Sequence, residues 1–436
     1  MAPVGAASGW CSHPRTNSRS NGEGSGGRAL LWLVMITIED IRAARSRFQG
    51  NIQLTPAPYS ETLSRETGSV LFLKLENMNV TGSFKERGAL NRLLLLSAEE
   101  RARGVVTASA GNHAQAVAYH ASRIGVRAEI CMPIFTPLVK VTATRGWGAK
   151  VILYGNNFDD AQEEARRRER DEKLVFVHAF DDDAVIAGQG VIGLELLEQI
   201  PELEAVVVPV GGGGLIGGIA CAVKESRPEV RIVGVQVGCL ASMQAAIHAH
   251  HPVRLPAAPT IADGIAVRQT GERTLALAEK YMDELVTVDD EEIAAAILRL
   301  LERQKVLAEG AGAAGVAAML QRKTSLQGRR VAVVIGGGNI DVTLLSRIIE
   351  RGLVKDGRLV RVRIPVPDHP GALQHLTAVI GAQHANIVQV VHDRAYFGAH
   401  LGEGVVDITM ETRGPEHVEE LTTKLREAGY PLEQVR

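Results

Sequence analysis

From residue 36 onward, short apolar runs alternate with amphipathic stretches. Runs over 70–76 (VLFLKLE), 104–108, 128–132, 150–153 and 174–177 predict strands, and the stretches over 84–96, 113–124 and 161–172 predict helices between them. Further strands are expected over 205–210, with a helix behind it, over 231–237 and over 331–335. Strands alternating with helices imply parallel sheets joined by crossover helices. No solenoid period is present.

The pattern changes near Asp356 and Gly357. Residues 359–366 (LVRVRIPV) alternate charged and apolar, as a half-buried antiparallel strand does. Asp368, His369, Pro370 and Gly371 form a turn signal, and a helix over 372–383 follows. Strands over 387–393 and 403–411, a helix over 416–428 and a last strand near Leu432 complete the order βαββαβ, the ferredoxin-like pattern. The expected division is an extension over 1–34, a large α/β unit over 35–356 and a small domain over 357–436.

Composition narrows this picture only slightly. A chain of 436 residues can bury a large core, and a net charge of -2 argues against nucleic-acid or acidic-membrane binding. Cys11, Cys131, Cys221 and Cys239 form no CxxC pair, which fits a reducing compartment, with the cytoplasm as the expectation, and no metal cluster. Residues 1–27 are rich in Ser, Gly, Arg and Asn, which bury too little apolar surface to order themselves. The apolar run over 29–36 is too short to span a bilayer. A transit peptide is one explanation, but a working start at Met35 is preferred.

Candidate chemistry lies in glycine-rich turns and one lysine. Within 76–88, Ser83 sits where an N-cap belongs and Glu86 completes a capping box, which places Lys85 in the first helical turn. The positive end of the helix dipole and burial both disfavour an ammonium there, and a neutral amine is the nucleophile that carbonyl condensation needs. Most helical lysines are solvated surface residues, so the neighbouring turns decide. Ser109, Ala110, Gly111, Asn112 and His113 join a strand to a helix, where backbone N–H groups bind anions such as a carboxylate. Asn112 could hydrogen-bond a ring hydroxyl. Gly211, Gly212, Gly213 and Gly214 end a strand and open a helix through Leu215, making a phosphate cradle. Gly212, Gly214 and Gly217 also match GxGxxG, but the next strand ends in Gln236, Val237 and Gly238, with no acid to hold a ribose. A simple phosphate fits better. Gly336, Gly337, Gly338, Asn339, Ile340 and Asp341 close another strand in the same manner.

Together, TGSFKERGA around Lys85, SAGNHAQ from Ser109, PVGGGGLIGG, the stretch 181–195, Ala262-Asp263-Gly264, the run from Glu309 to Ala313, and GGNID resemble the fold-type II pyridoxal-phosphate enzymes. The likeness is to their threonine dehydratase and serine racemase branch, and it runs from about 36 to 357. It implies a two-lobed fold of open parallel sheets, with a small lobe over roughly 80–180 inserted in the large one. DHPGAL and ANIVQV resemble an ACT regulatory domain, which implies an amino-acid effector near Asp368, Gly371, Ala372, Leu373 and Asn386, and a homodimer or homotetramer.

By that resemblance Lys85 carries pyridoxal phosphate as a Schiff base and removes the substrate Cα proton, with Phe84 beside the cofactor. Asn112 contacts the ring hydroxyl, the 211–215 turn holds the phosphate and the 109–113 turn the substrate carboxylate. The implied reaction is deamination of L-threonine to 2-oxobutanoate and ammonia, and of L-serine to pyruvate. Two departures from the family pattern matter. Serine racemases carry a second serine where Ala110 stands, so an opposite-face acid is missing and elimination is favoured over racemisation. A serine that faces the pyridine nitrogen is replaced by Gly336. The metal-ligand acid near Gln236 in some relatives is also absent, so no metal is expected. A 3-hydroxyaspartate dehydratase, a serine racemase and a weakly active amino-acid sensor remain as alternatives.

Overall fold

A computed structural model describes residues 35–394, 400 and 402–435; the expectations for the first 34 residues lie outside them. The large sheet contains β1 (Val70–Leu75), β6 (Ala205–Pro209), β7 (Arg231–Val237), β8 (Glu284–Val288) and β9 (Arg330–Ile335), in the order β1-β9-β6-β7-β8, all parallel. A second parallel sheet has the order β4-β3-β2-β5, with β2 at Val105–Ala108, β3 at Ala128–Met132, β4 at Lys150–Leu153 and β5 at Val175–Phe176.

Continuous Val and Ile runs suit strands covered on both faces. Val206 and Val208 pack into a core shared with the helices Asp183–Gln199 and Gly214–Ser226. Ala205 and Val207 point the other way, into a core with the helix Gly310–Leu320. The second sheet repeats the scheme, with the helices Asn112–Arg123 and Phe158–Asp171 on its two faces.

The chain leaves the large sheet through the helix Val342–Lys355 and enters β10 (Leu359–Pro367), whose alternate residues Val360, Val362, Ile364 and Val366 are buried. With β11 (Asn386–Asp393), β12 (Glu403–Glu411) and β13 (Glu433–Val435) it makes an antiparallel sheet of order β11-β12-β10-β13. The helices Ala372–Ala382 and Pro415–Glu427 supply Leu376, Ile380, Leu421 and Leu425 to its core. This is the ferredoxin-like order expected from the sequence.

β1, β9 and β6 are neighbours and run the same way, so the loops after them meet at one edge of the large sheet. Those loops carry Lys85, Gly336 and Gly211. In open parallel sheets this edge is where ligands bind.

Candidate active site

The approach to Lys85 differs from the sequence expectation. Ser83 pairs with Gly337 in a short antiparallel bridge, and the Phe84 N–H donates to the Gly336 carbonyl at 3.0 Å. The helix therefore begins at Lys85, with Phe84 as its cap residue and no side-chain cap. Glu86 does not close a capping box on Ser83, because its carboxylate accepts from the Thr81 N–H. A tertiary partner has taken the backbone that the local motif would have capped. Gly82 makes this turn possible: its φ is +75°, and a Cβ there would lie 2.6 Å from Asn339 Oδ1.

Lys85 Nζ donates to the Ala179 carbonyl at 2.6 Å and lies 5.1 Å from the centre of the Phe84 ring. Burial lowers its pKa to about 8, against the opposing pull of Glu309. The lowered value expected from the sequence is present, with burial as its chief cause. Two residues on, Arg87 is fully buried and holds Glu76 through two contacts of 2.8 Å and Glu195 through contacts of 2.6 and 2.9 Å. Lys74 reaches the same Glu195 at 2.6 Å. This charge-balanced cluster ties the Lys85 helix to β1 and to the helix Asp183–Gln199, which fixes the direction in which Lys85 projects.

The glycine turn follows β6. Gly213 has φ +95° and the helix begins at Gly214. Among the described residues, the N–H groups of Gly212, Gly213, Gly214 and Leu215 donate to no protein acceptor. Thr274 Oγ1 donates to the Gly212 carbonyl at 2.7 Å and fixes the turn from behind. A Cβ at Gly212 would fall 2.5 Å from the Phe180 ring, so the backbone lies flush against that side chain. Free N–H groups at a helix start, with no room for side chains, fit a phosphate ester.

The turn after β2 crosses between the lobes. Asn112 Nδ2 donates to Glu309 Oε1 at 2.7 Å, and Asn112 Oδ1 accepts from Asn339 Nδ2 at 2.7 Å. Asn339 also donates to the Thr81 carbonyl at 2.7 Å. Ser109, Ala110 and Gly111 are half-buried, and the Gly111 N–H donates to Ser109 Oγ at 3.2 Å. The His113 ring is buried, and its Nε2–H donates to the Val177 carbonyl at 3.1 Å. Burial and the nearby Lys85 charge lower its pKa to about 3, so the ring is neutral. Only the backbone of His113 remains for an anion at this helix start.

Glu309, Asn339 and the Ala179 carbonyl escaped the sequence reading as site groups. Glu309 is buried, its carboxyl raised to about 7 by burial and by Asp263, while Asn112, Lys140 and Lys85 pull it down. An acid opening the small-residue run GAGAAG was the available signal. At Gly336, a Cβ would lie 3.3 Å from the Phe84 ring and 3.7 Å from Pro209. Among the described residues, no group of three or more His, Cys, Asp or Glu side chains could hold a metal ion.

The residues proposed for an effector do not come together in one chain. Gly371 (φ +92°) caps the helix that starts at the buried Ala372, with Leu373 half-buried beside it, and Asp368 pairs with Arg394 at 3.0 Å. Asn386 begins β11 and donates to Glu411 at 2.9 Å. Glu411 lies opposite Leu359, whereas Asp368 follows Pro367 at the other end of β10. A strand of nine residues separates them, about 25–30 Å.

A buried lysine and a glycine turn with free N–H groups lie on one sheet edge, with a second lobe across them, an arrangement that fits a phosphorylated aldehyde. The sequence profile described as "Pyridoxal-phosphate dependent enzyme" matches residues 48–337. The chain belongs to this family and its cofactor is pyridoxal phosphate. Lys85 and the 211–215 turn fit that group, as amine and as phosphate cradle. The chain is 50% identical over 398 residues to the L-threonine ammonia-lyase of Thermotoga maritima, covering 91% of this chain and 99% of that one. The structure resembles processed threonine deaminase isoform 2 from Solanum lycopersicum, with TM-score 0.69, 37% identity, and coverage of 72% and 86%. It also resembles maize serine racemase, with TM-score 0.69, 32% identity, and coverage of 74% and 99%.

Proposed function

We propose that this chain is an L-threonine ammonia-lyase that also accepts L-serine. The observation that carries the proposal is the convergence of Lys85 and the 211–215 turn on one sheet edge, facing Asn112 of the second lobe. When bound, pyridoxal phosphate supplies the electron sink that stabilises a carbanion at the substrate Cα. Lys85 would hold the cofactor through its amine and, once the substrate amine has displaced it, that freed amine would take the Cα proton. The N–H groups of Ala110, Asn112 and His113 at this helix start are read as the donors to the substrate carboxylate, since those of Ser109 and Gly111 already donate to the Cys131 carbonyl and to Ser109 Oγ, and Asn112, oriented by Glu309 and Asn339, would face the ring hydroxyl.

The Cβ–O bond would then break, and the hydroxide would leave together with the proton taken from Cα, as water. The enamine released from threonine then hydrolyses to 2-oxobutanoate and ammonia, and that from serine to pyruvate and ammonia. Ala110 has no proton to deliver to the opposite face of Cα, which supports elimination over racemisation.

The C-terminal domain is read as an ACT module that binds an amino-acid effector between paired copies, which supports a homodimer or homotetramer. Cytoplasmic location is supported by free cysteines at 131, 221 and 239 and, among the described residues, by the lack of a helix long and apolar enough to cross a membrane. The test is to incubate the purified protein with L-threonine, L-serine and 3-hydroxyaspartate and to assay 2-oxo acid. Threonine should turn over fastest; much faster turnover of 3-hydroxyaspartate would overturn the substrate assignment.

A further inference from the structure

Two charged residues that the proposed chemistry does not use face each other between the lobes. Lys140 lies on the helix Leu138–Gly146 of the smaller lobe, and Asp263 opens the turn Asp263–Ile265 of the larger one. Lys140 Nζ donates to Asp263 Oδ2 at 2.8 Å. The Asp263 turn is packed onto the site itself. A Cβ at Gly264 would lie 3.3 Å from Glu309 Oε1, and a Cβ at Gly211 would lie 3.0 Å from Ile265 Cα. The Asp263–Ile265 turn thus sits beside both the glycine turn at Gly211 and Glu309. Both charges reach Glu309, Asp263 raising its pKa and Lys140 lowering it.

We propose that Lys140 and Asp263 form a charge-balanced gate between the lobes that admits β-hydroxy amino acids with uncharged side chains and rejects those with a β-carboxylate. The inference rests on the lyase reading. An incoming carboxylate meets a cation that is already paired, with the Asp263 carboxylate next to it, so its charge finds no free partner and one repulsive neighbour. The methyl group of threonine meets no such penalty. Asp263 is 59% exposed and Lys140 27%, so solvent screens the effect and it should weaken with salt.

The test compares kcat/KM for L-threonine and 3-hydroxy-L-aspartate in the holoenzyme and in two variants, with the aspartate analogue read as a Ki against threonine where its turnover is undetectable. Asp263→Asn frees the Lys140 charge and should shift preference toward the hydroxyaspartate by roughly threefold to tenfold. Lys140→Met leaves the carboxylates unbalanced and should shift preference the opposite way by a similar factor. Both shifts should shrink at high ionic strength. A purely structural role would lower both substrates together, so a preference ratio unchanged in both variants would overturn the gate and leave the lyase reading standing. Absence of threonine turnover in the unaltered enzyme would overturn both.

Discussion

Gly82 and Gly371 hold the same backbone geometry in two parts of the molecule, with φ +75° and +92°, each near the start of a helix. At Gly82 a Cβ would strike Asn339 at 2.6 Å, and Gly82, Ser83 and Phe84 are bonded to Gly338, Gly337 and Gly336 of the facing turn. At Gly371 a Cβ would meet nothing within 4 Å. The first turn is completed by its own chain, and the second opens outward. The same contrast runs through the two domains: β6 and β9 are covered on both faces, while Val388, Val390 and Val391 on the edge strand β11 are exposed. A site closed by its own fold can hold a reactive amine in a fixed direction. A surface left open is suited to a second body, which agrees with the reading of the C-terminal domain as a module that acts in pairs.

The largest expected effect breaks the closed side of this comparison. Lys85→Ala should reduce threonine turnover by on the order of a thousandfold or more and remove the visible absorbance of the bound cofactor. Arg87→Ala leaves Glu76 and Glu195 buried with only Lys74 to balance them, and should cost about 3–5 kcal/mol in denaturant unfolding. Gly82→Ala combines left-handed strain with overpacking and should cost about 2–4 kcal/mol with loss of cofactor affinity. Gly371→Ala carries strain alone, about 1–2 kcal/mol, and should leave threonine turnover intact. Equal effects at the two glycines would break the comparison.

The smallest effect sharpens it through pH. Only the neutral Lys85 amine condenses with an aldehyde, so cofactor uptake by the apoprotein should rise with pH and level off above about 8, where a surface lysine would still be mostly charged. Glu309 favours the charged ammonium, so Glu309→Gln should move that plateau to lower pH. A plateau moved upward would contradict the electrostatic account of the site.

Much of the fold was legible because its strands are written in one chemistry. The runs at 128–132, 150–153, 231–237 and 403–411 form strands with those bounds, the first and third buried on both faces and the second a half-exposed edge of its sheet. β8 was missed: its half-buried edge position leaves a short run, ELVTV, with little contrast to its surroundings. The capping box at Ser83 and Glu86 was read from local spacing, but Gly337, far along the chain, claimed that backbone. The Asn112 contacts with Glu309 and Asn339 join residues 197 and 227 positions apart, and no local pattern announces such a meeting. The helix starts at Lys85 and after the glycine turn were legible for the opposite reason, because they are local features written in adjacent residues.

The most direct test is to reduce the holoenzyme with borohydride, digest it and locate the cofactor by peptide mass. A pyridoxyl adduct on Lys85, with threonine turnover abolished by the reduction, is the predicted result. An adduct on another lysine, or threonine turnover that survives full reduction, would contradict the account.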